Sequence, residues 1–292
     1  MEQKSLKQPA NFSLRGLFKL VRFGNLIMIV LTQYLTAIFL TGEVGNWLAL
    51  LTDPRLFLLS ASTVLIAAAG YMINDYYDVK IDYINKPDEV VVGRILKRRV
   101  VMAYHFLANG LALSAGIWLS WKIALVHACS IFLLWIYSNR LKRVALIGNT
   151  VIALLTGAAV AIVALLYPSN QLLVLIYAIF ATFISLIREI IKDMEDIRGD
   201  EAYGSRTLPI IIGMRRSKVL LYVLIAGFSI ALFVLSAPLR NDSVQLYFGL
   251  LLLPIVLLYY WLATADTQQE YRRLSLFTKL IMLTGIISMV FF

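Results

Sequence analysis

The sequence contains one cysteine, Cys129, and two histidines, His105 and His127. A single thiol excludes an internal disulfide and a cysteine-built metal cluster. With so few soft ligands, zinc is a poor fit to any site here. Charge is also scarce, at 15% of residues, where a soluble domain carries about 25%. Apolar residues take its place and make up 60% of the chain.

The charges that exist leave long stretches untouched. Uncharged runs cover 23–42, 56–74, 100–121, 123–139, 144–187, 219–239 and 243–265, and 274–292 is interrupted only by Lys279. The run 144–187 is too long for one crossing and divides at Tyr167-Pro168-Ser169-Asn170-Gln171, a turn-forming cluster. A bilayer core needs about 20 apolar residues in helical form, and backbone left bare in lipid excludes open strands. These runs predict an all-α integral membrane protein of about nine transmembrane helices in one bundle. The expected organisation is a cytoplasmic N-terminal segment, 1–22, followed by one transmembrane domain, 23–292. The first twenty residues show no cleavage-site pattern, so the first span is expected to stay as an anchor. Leu14, Leu17, Phe18 and Leu20, mixed with Arg15 and Lys19, suggest a helix lying on the membrane surface. His105 and His127 fall within spans three and four and are expected to be packed or interfacial.

Connections alternate in charge. With Lys279 counted in the connection after span eight, 24 of the 27 Lys and Arg lie on the side of the N terminus. Arg55, Lys122 and Arg240 are the only three on the other side. Positive loops stay in the cytoplasm, which predicts N terminus inside, C terminus outside, and a multi-pass protein of the plasma membrane. The net charge of +10 is therefore a topology signal, and nucleic acid is not an expected partner.

Topology does not explain the acids. Fourteen of 17 share the cation-rich side, mostly in two clusters. Asn74-Asp75-Tyr76-Tyr77-Asp78-Val79-Lys80-Ile81-Asp82 follows span two, and a second cluster from Arg188 to Asp200 follows span six. If each continues its helix at about 100° per residue, Asn74, Asp75, Asp78 and Asp82 share an arc of roughly 100°. Glu189, Asp193, Asp196 and Asp200 share one of roughly 60°, with Glu195 about 100° away. Gly199 is a candidate bend before Asp200. Like charges at such spacing destabilise a helix, so a surface pairing with Lys80, Lys86, Lys192 and Arg198 explains them poorly. Two facing carboxylate stripes make an all-oxygen site suited to Mg²⁺ and phosphate oxygens. Arg94, Lys142 and Arg143, in neighbouring connections, add the cations that a diphosphate leaving group requires.

These residues resemble the UbiA superfamily of intramembrane prenyltransferases. Asn74, Asp75, Asp78 and Asp82 match its first aspartate motif, and Asp196-Ile197-Arg198-Gly199-Asp200 its second. Tyr137-Ser138 with Lys142-Arg143 looks like its tyrosine-serine and lysine-arginine segment, and Arg22 with Asn25 like its start. The tight first motif is similar to the branch that adds geranylgeranyl to geranylgeranylglyceryl phosphate. One stretch departs from the family: Glu89 stands where an arginine is common, before Gly93-Arg94.

The resemblance implies a helical bundle around a central cavity open to lipid, an isoprenyl diphosphate donor and a hydrophobic acceptor. Mg²⁺ would be held by Asn74, Asp78 and Asp82 on one side and Asp196 and Asp200 on the other, supported by Asp75 and Asp193. The catalytic set is thus Asp75, Asp78, Asp82, Asp193, Asp196 and Asp200. The substrate-binding set is Asn25, Arg94, Tyr137, Lys142, Arg143, Lys192 and Arg198. An aromatic acceptor of quinone biosynthesis is the alternative to a lipid one. A transporter would place ionisable groups near the midplane of its spans, where this chain has almost none.

Overall fold

Asp53 accepts a hydrogen bond from the Arg55 N–H and Pro54 supplies the first helical position, so a helix starts firmly at this point. That helix runs Pro54–Asn85, 32 residues and about 48 Å by the α-helical rise. One other helix is as long, Gln171–Ala202, also 32 residues. Both exceed a hydrocarbon core of about 30 Å, so their polar ends stand clear of it.

The computed structural model describes residues 13–41, 44–236 and 242–292. In chain order the main helices are α1 (Leu14–Leu20), α2 (Phe23–Leu35), α3 (Pro54–Asn85), α4 (Arg98–Leu119), α5 (Trp121–Asn139), α6 (Ile147–Ala161), α7 (Gln171–Ala202), α8 (Met214–Ser236), α9 (Asp242–Thr264) and α10 (Gln268–Ile287). A π-helical turn, Thr36–Leu40, lengthens α2, and Val163–Leu166 lengthens α6. Eight helices among the described residues are long and apolar enough to cross a membrane. The ninth predicted span, α9, has 23 residues with Pro254 inside, of which Gly249–Thr264 forms a shorter apolar stretch. Nine spans is thus approximate. The protein is a multi-pass integral membrane protein.

The two long helices are also the central ones. Across their membrane stretch 56% of residues are buried, against 39% or less in every other candidate span. Ile184, Ile187, Ile190 and Ile191 of α7 pack with Leu221 and Ile225 of α8, Leu258 and Leu262 of α9, and Leu274 and Ile281 of α10. On the α3 side, Ala68 and Met72 join Leu20, Val91, Val92 and Leu96. These last residues fasten α1 and the α3–α4 loop to the same end of the bundle.

α1 is capped by Ser13, which accepts from the Gly16 N–H, and it exposes Leu14 and Phe18 while burying Leu20. It has the two-faced character expected of a surface helix. Arg22, at φ 51°, breaks α1 from α2. Arg240, one of the three cations assigned to the side opposite the N terminus, and the cations Lys4 and Lys7 of the N-terminal segment lie outside the described residues. His105 is buried, with Nδ1 3.0 Å from the Ala69 carbonyl oxygen, and His127 sits 3.2 Å from that of Ala112. Both histidines therefore join neighbouring helices, in line with the packing role expected of them.

Candidate active site

Asn85 ends α3, and its side chain crosses to α7. Its Nδ2 donates to the Asp196 carbonyl at 3.1 Å, and its Oδ1 accepts from the Gly199 N–H at 2.9 Å. A Cβ at position 199 would come within 2.6 Å of the Asn85 amide carbon, so glycine is what lets the two helix ends meet. α7 continues through Gly199 to Ala202. The glycine expected to bend it serves close approach instead.

This contact brings the two acidic stripes to one place. On α3, Asp75 accepts from Arg22 Nη2 at 3.0 Å, and Asp78 is paired with Lys142 from the α5–α6 loop. On α7, Asp193 accepts from Asn149 Nδ2 of α6 at 2.9 Å. α6 lies close enough for this because Gly157 faces the Ala178 carbonyl, where a Cβ would stand 2.7 Å away. Lys86 Nζ lies 3.1 Å from Asp196 Oδ1 and 3.2 Å from Glu195 Oε1. Its contact with Asp196 Oδ1 is out of line for a hydrogen bond, and that buried oxygen accepts none. Asp82 and Asp200 are half-buried.

Two groups just outside the spans show the local field. Burial opposes the Lys86 ammonium, but Asp196 and Glu195 outweigh it and raise its pKa above the ordinary lysine value. Burial likewise opposes the Arg22 charge, and Asp75, Tyr71, Asp82 and Glu189 more than restore it.

Directly before the acids, α3 and α7 line a cavity of about 330 Å³. Asn25, Asn74, Tyr137, Lys192, Arg22, Arg188, Glu189 and Lys279 form its polar end. Farther in, its wall turns apolar, with Met28, Ile66, Leu134, Phe180, Phe228 and Met282. Such a space takes a hydrocarbon chain whose charged head stays at the carboxylates.

Oxygen is the sole ligand type that Asn74, Asp78, Asp82, Asp196 and Asp200 offer. Among the described residues no three carboxylate, His or Cys groups converge as a ready ligand set. The Asp196 oxygen that accepts no hydrogen bond and the all-oxygen donors suit Mg²⁺, which keeps several waters and takes other ligands from phosphate. A closed cage would suit a different metal.

The UbiA prenyltransferase family model matches residues 28–281, which is most of the chain. The chain belongs to the UbiA prenyltransferase family. A digeranylgeranylglyceryl phosphate synthase from Methanothermobacter thermautotrophicus is 34% identical over 242 residues, covering 82% of this chain and 79% of that one. The synthase of the same name from Pyrococcus horikoshii is 34% identical over 230 residues, covering 78% and 80%. A solved structure described as concerning digeranylgeranylglyceryl phosphate synthase in membranes superposes with TM-score 0.72 at 22% identity, covering 95% and 97%. A UbiA homolog from Archaeoglobus fulgidus bound to DMAPP and Mg²⁺ superposes with TM-score 0.66 at 16% identity, covering 94% and 99%. Both of these shared folds are helical membrane bundles.

Within this UbiA-family chain, the structure gathers the six aspartates, Asn74 and Lys142 at one end, with Asn25, Tyr137 and Lys192 in the cavity wall. Arg94, Arg143 and Arg198 lie outside the cavity wall and are exposed. Arg94 donates to the Pro87 carbonyl of its own loop at 2.7 Å, and the Arg143 carbonyl accepts from the Arg206 N–H at 2.8 Å. Glu89, the departure from the family pattern, pairs with Arg272 of α10 at 2.9 Å, both exposed. Two readings of the sequence need correction. Glu195, placed off the stripe as an indifferent surface acid, is 4% exposed and held by Lys86. Lys279, counted as a topology charge, donates to Asn25 Oδ1 at 2.6 Å inside the cavity wall. A lone charge in the run 274–292 was the signal for it. Asn85 opens the Asn85-Lys86-Pro87 stretch that leads to Glu89 and resembles the family pattern there, but nothing in that likeness gave it a part in joining the two helix ends.

Proposed function

We propose that the chain transfers an isoprenyl group, geranylgeranyl by the names of its relatives, from its diphosphate to a hydroxyl of geranylgeranylglyceryl phosphate. The carrying observation is the pair of carboxylate stripes, joined by Asn85, at the polar end of an apolar cavity. Prenyl transfer needs a leaving diphosphate stabilised at one end and a dry chain-shaped space at the other, and these two features supply both.

In this reading the cavity wall aligns the isoprenyl tail and leaves C1 near the ends of α3 and α7. Asn74, Asp78, Asp82, Asp196 and Asp200 hold Mg²⁺, with Asp75 and Asp193 supporting them. Held there, the metal would supply the positive charge that a leaving diphosphate requires. Lys142 releases its carboxylate edge and turns to phosphate oxygens, as a cation aimed at developing charge does. Lys192 faces the same oxygens from the wall. Arg94, Arg143 and Arg198 attract anionic substrates from the rim. The C1–O bond breaks with its electrons on the diphosphate, the acceptor oxygen bonds C1, and its proton leaves toward the carboxylates at the mouth.

The cation bias supports a cytoplasmic active site in the plasma membrane, with the N-terminal segment 1–22 inside and the transmembrane domain from 23 to 292. The test is incubation of the purified protein with labelled geranylgeranyl diphosphate, Mg²⁺ and a panel of lipid and aromatic acceptors. Ether-linked product from the phosphate lipid, abolished by excess EDTA and restored by Mg²⁺ or Mn²⁺ but poorly by zinc, is expected. Full turnover in EDTA, or transfer to the aromatic acceptor alone, would overturn the reading.

A further inference from the structure

Lys279 is the only charge in the run 274–292, and a charge inside a span marks function unless it escapes to water. A snorkelling lysine would end in head groups or solvent. Lys279 ends in the cavity wall instead, with its Nζ 2.6 Å from Asn25 Oδ1. Asn25 Nδ2 donates to the Tyr71 hydroxyl at 3.0 Å, and the Arg22 guanidinium lies over the Tyr71 ring at 4.7 Å while bonding Asp75. Tyr71 stands one helical turn before Asp75 on α3. The ammonium is therefore tied to a network that ends on the first carboxylate of the stripe.

The charges of this wall do not balance. Arg22 is paired with Asp75 and Arg188 with Glu189. Among the described residues no carboxylate lies within ion-pair distance of Lys279 or Lys192. Arg188 also keeps a buried Nε without a hydrogen-bond partner in the same wall. With Lys192 facing the aspartate stripes and the donor, the Lys279 ammonium, without a carboxylate partner among the described residues, and the spare Arg188 N–H are left in the buried wall and call for an anion. A phosphate monoester, near two negative charges at neutral pH, matches that demand better than a carboxylate. The donor diphosphate already has Lys142 and the metal-binding stripes on the α3 and α7 ends.

We propose that Lys279, with Arg188 beside it, binds the phosphate head of the acceptor lipid and thereby selects a phosphorylated acceptor. This rests on the prenyltransferase reading above and deepens it. The test measures equilibrium binding in detergent and EDTA, so that no turnover is needed. The probes are labelled geranylgeranylglyceryl phosphate, its dephosphorylated alcohol and an aromatic hydroxycarboxylate. Wild type should prefer the phosphate lipid over the alcohol by about tenfold or more, Lys279→Met should erase that preference, and Lys279→Arg should keep most of it. Binding of geranylgeranyl diphosphate with Mg²⁺ should be unchanged in Lys279→Met. Equal binding of both lipids by wild type would overturn the proposal. So would a preference that survives Lys279→Met, an equal loss of donor binding, or tighter binding of the aromatic acid. If wild type shows the preference but forms no product, the proposed function fails and this site stands. Product without the preference has the reverse meaning.

Discussion

The acidic ends of α3 and α7 share one spacing but are held in different ways. On α3, Asp75 and Asp78 meet cations from elsewhere in the chain, Arg22 at the α1–α2 joint and Lys142 in the α5–α6 loop. On α7, Asp193 meets the neutral amide of Asn149, and Asp196 meets Lys86 and keeps one oxygen without a hydrogen bond. The α3 stripe is balanced by movable charge, whereas the α7 stripe is fixed by α3 itself through Asn85 and Lys86. Equal spacing therefore does not mean equal duty. α7 offers an Asp196 oxygen that no hydrogen bond holds, although Lys86 stands 3.1 Å from it, and α3 must exchange the Lys142 ammonium for the metal.

The largest expected effect tests whether both stripes nonetheless serve one diphosphate. Asp78→Asn and Asp196→Asn should each lower turnover by about a thousandfold or more, because metal-mediated stabilisation of the leaving group is worth several kcal/mol. The double variant should be scarcely slower than either single one, as for groups that act as a unit. The check is single-turnover transfer by protein that inserts and purifies like wild type. Wild-type rates in Asp78→Asn would reduce the α3 stripe to structural charge and break the comparison.

A smaller effect separates the two lysines that cover the stripes. Lys142→Met should lower turnover by about a hundredfold with little change in thermal stability, since it removes a cation aimed at the leaving group. Lys86→Met should act mainly on stability, by about 1–3 kcal/mol. It strands the buried Glu195 carboxylate, and the figure is reduced from that of a fully buried pair because Lys86 is partly exposed. The pKa of Lys86 is raised in the folded state. Its contribution is therefore fully present below the unfolded lysine value, about 10.4, and lost only as pH rises through the folded one. The gap in thermal midpoint between wild type and Lys86→Met should stay flat from about pH 6 to about pH 9. If Lys142→Met lost stability and Lys86→Met lost only rate, their assignments would have to be exchanged.

Much of this architecture was legible because lipid imposes a simple rule: uncharged runs of spanning length become helices. The two stripes were equally legible, since a spacing of three and four residues sets one helical face regardless of context. What stayed hidden depends on neighbours. Lys279 stands alone within an apolar run and Arg198 near the end of α7, and only their neighbours decide that one lines the cavity and the other is exposed. Asn85 acts only because Gly199 lies opposite it, and no local pattern records that meeting. Arg94 fits a phosphate contact by sequence, but it bonds a carbonyl of its own loop. α9 met the length expectation, with 23 residues and Pro254 inside it.

The smallest effect sharpens the edge of the α7 stripe. Glu195 and Glu201 both flank the second motif, and by helix geometry Glu195 lies about 100° off the stripe. The structure parts them: Glu195 is buried beside Lys86, while Glu201 is exposed. Glu195→Gln keeps the shape and removes the charge, and Lys86 retains Asp196 as its partner. The cost should be about 1 kcal/mol of stability. Glu201→Gln should fall within about ±0.5 kcal/mol, as for ordinary surface changes. Turnover should stay within about threefold of wild type in both, because neither carboxylate shares the arc of Asp193, Asp196 and Asp200. The measurements are thermal midpoints and transfer rates on the same preparations. A Glu195→Gln variant that folds normally but loses its activity would move Glu195 into the metal site, and the stripe would then have to be redrawn around the Lys86 ammonium.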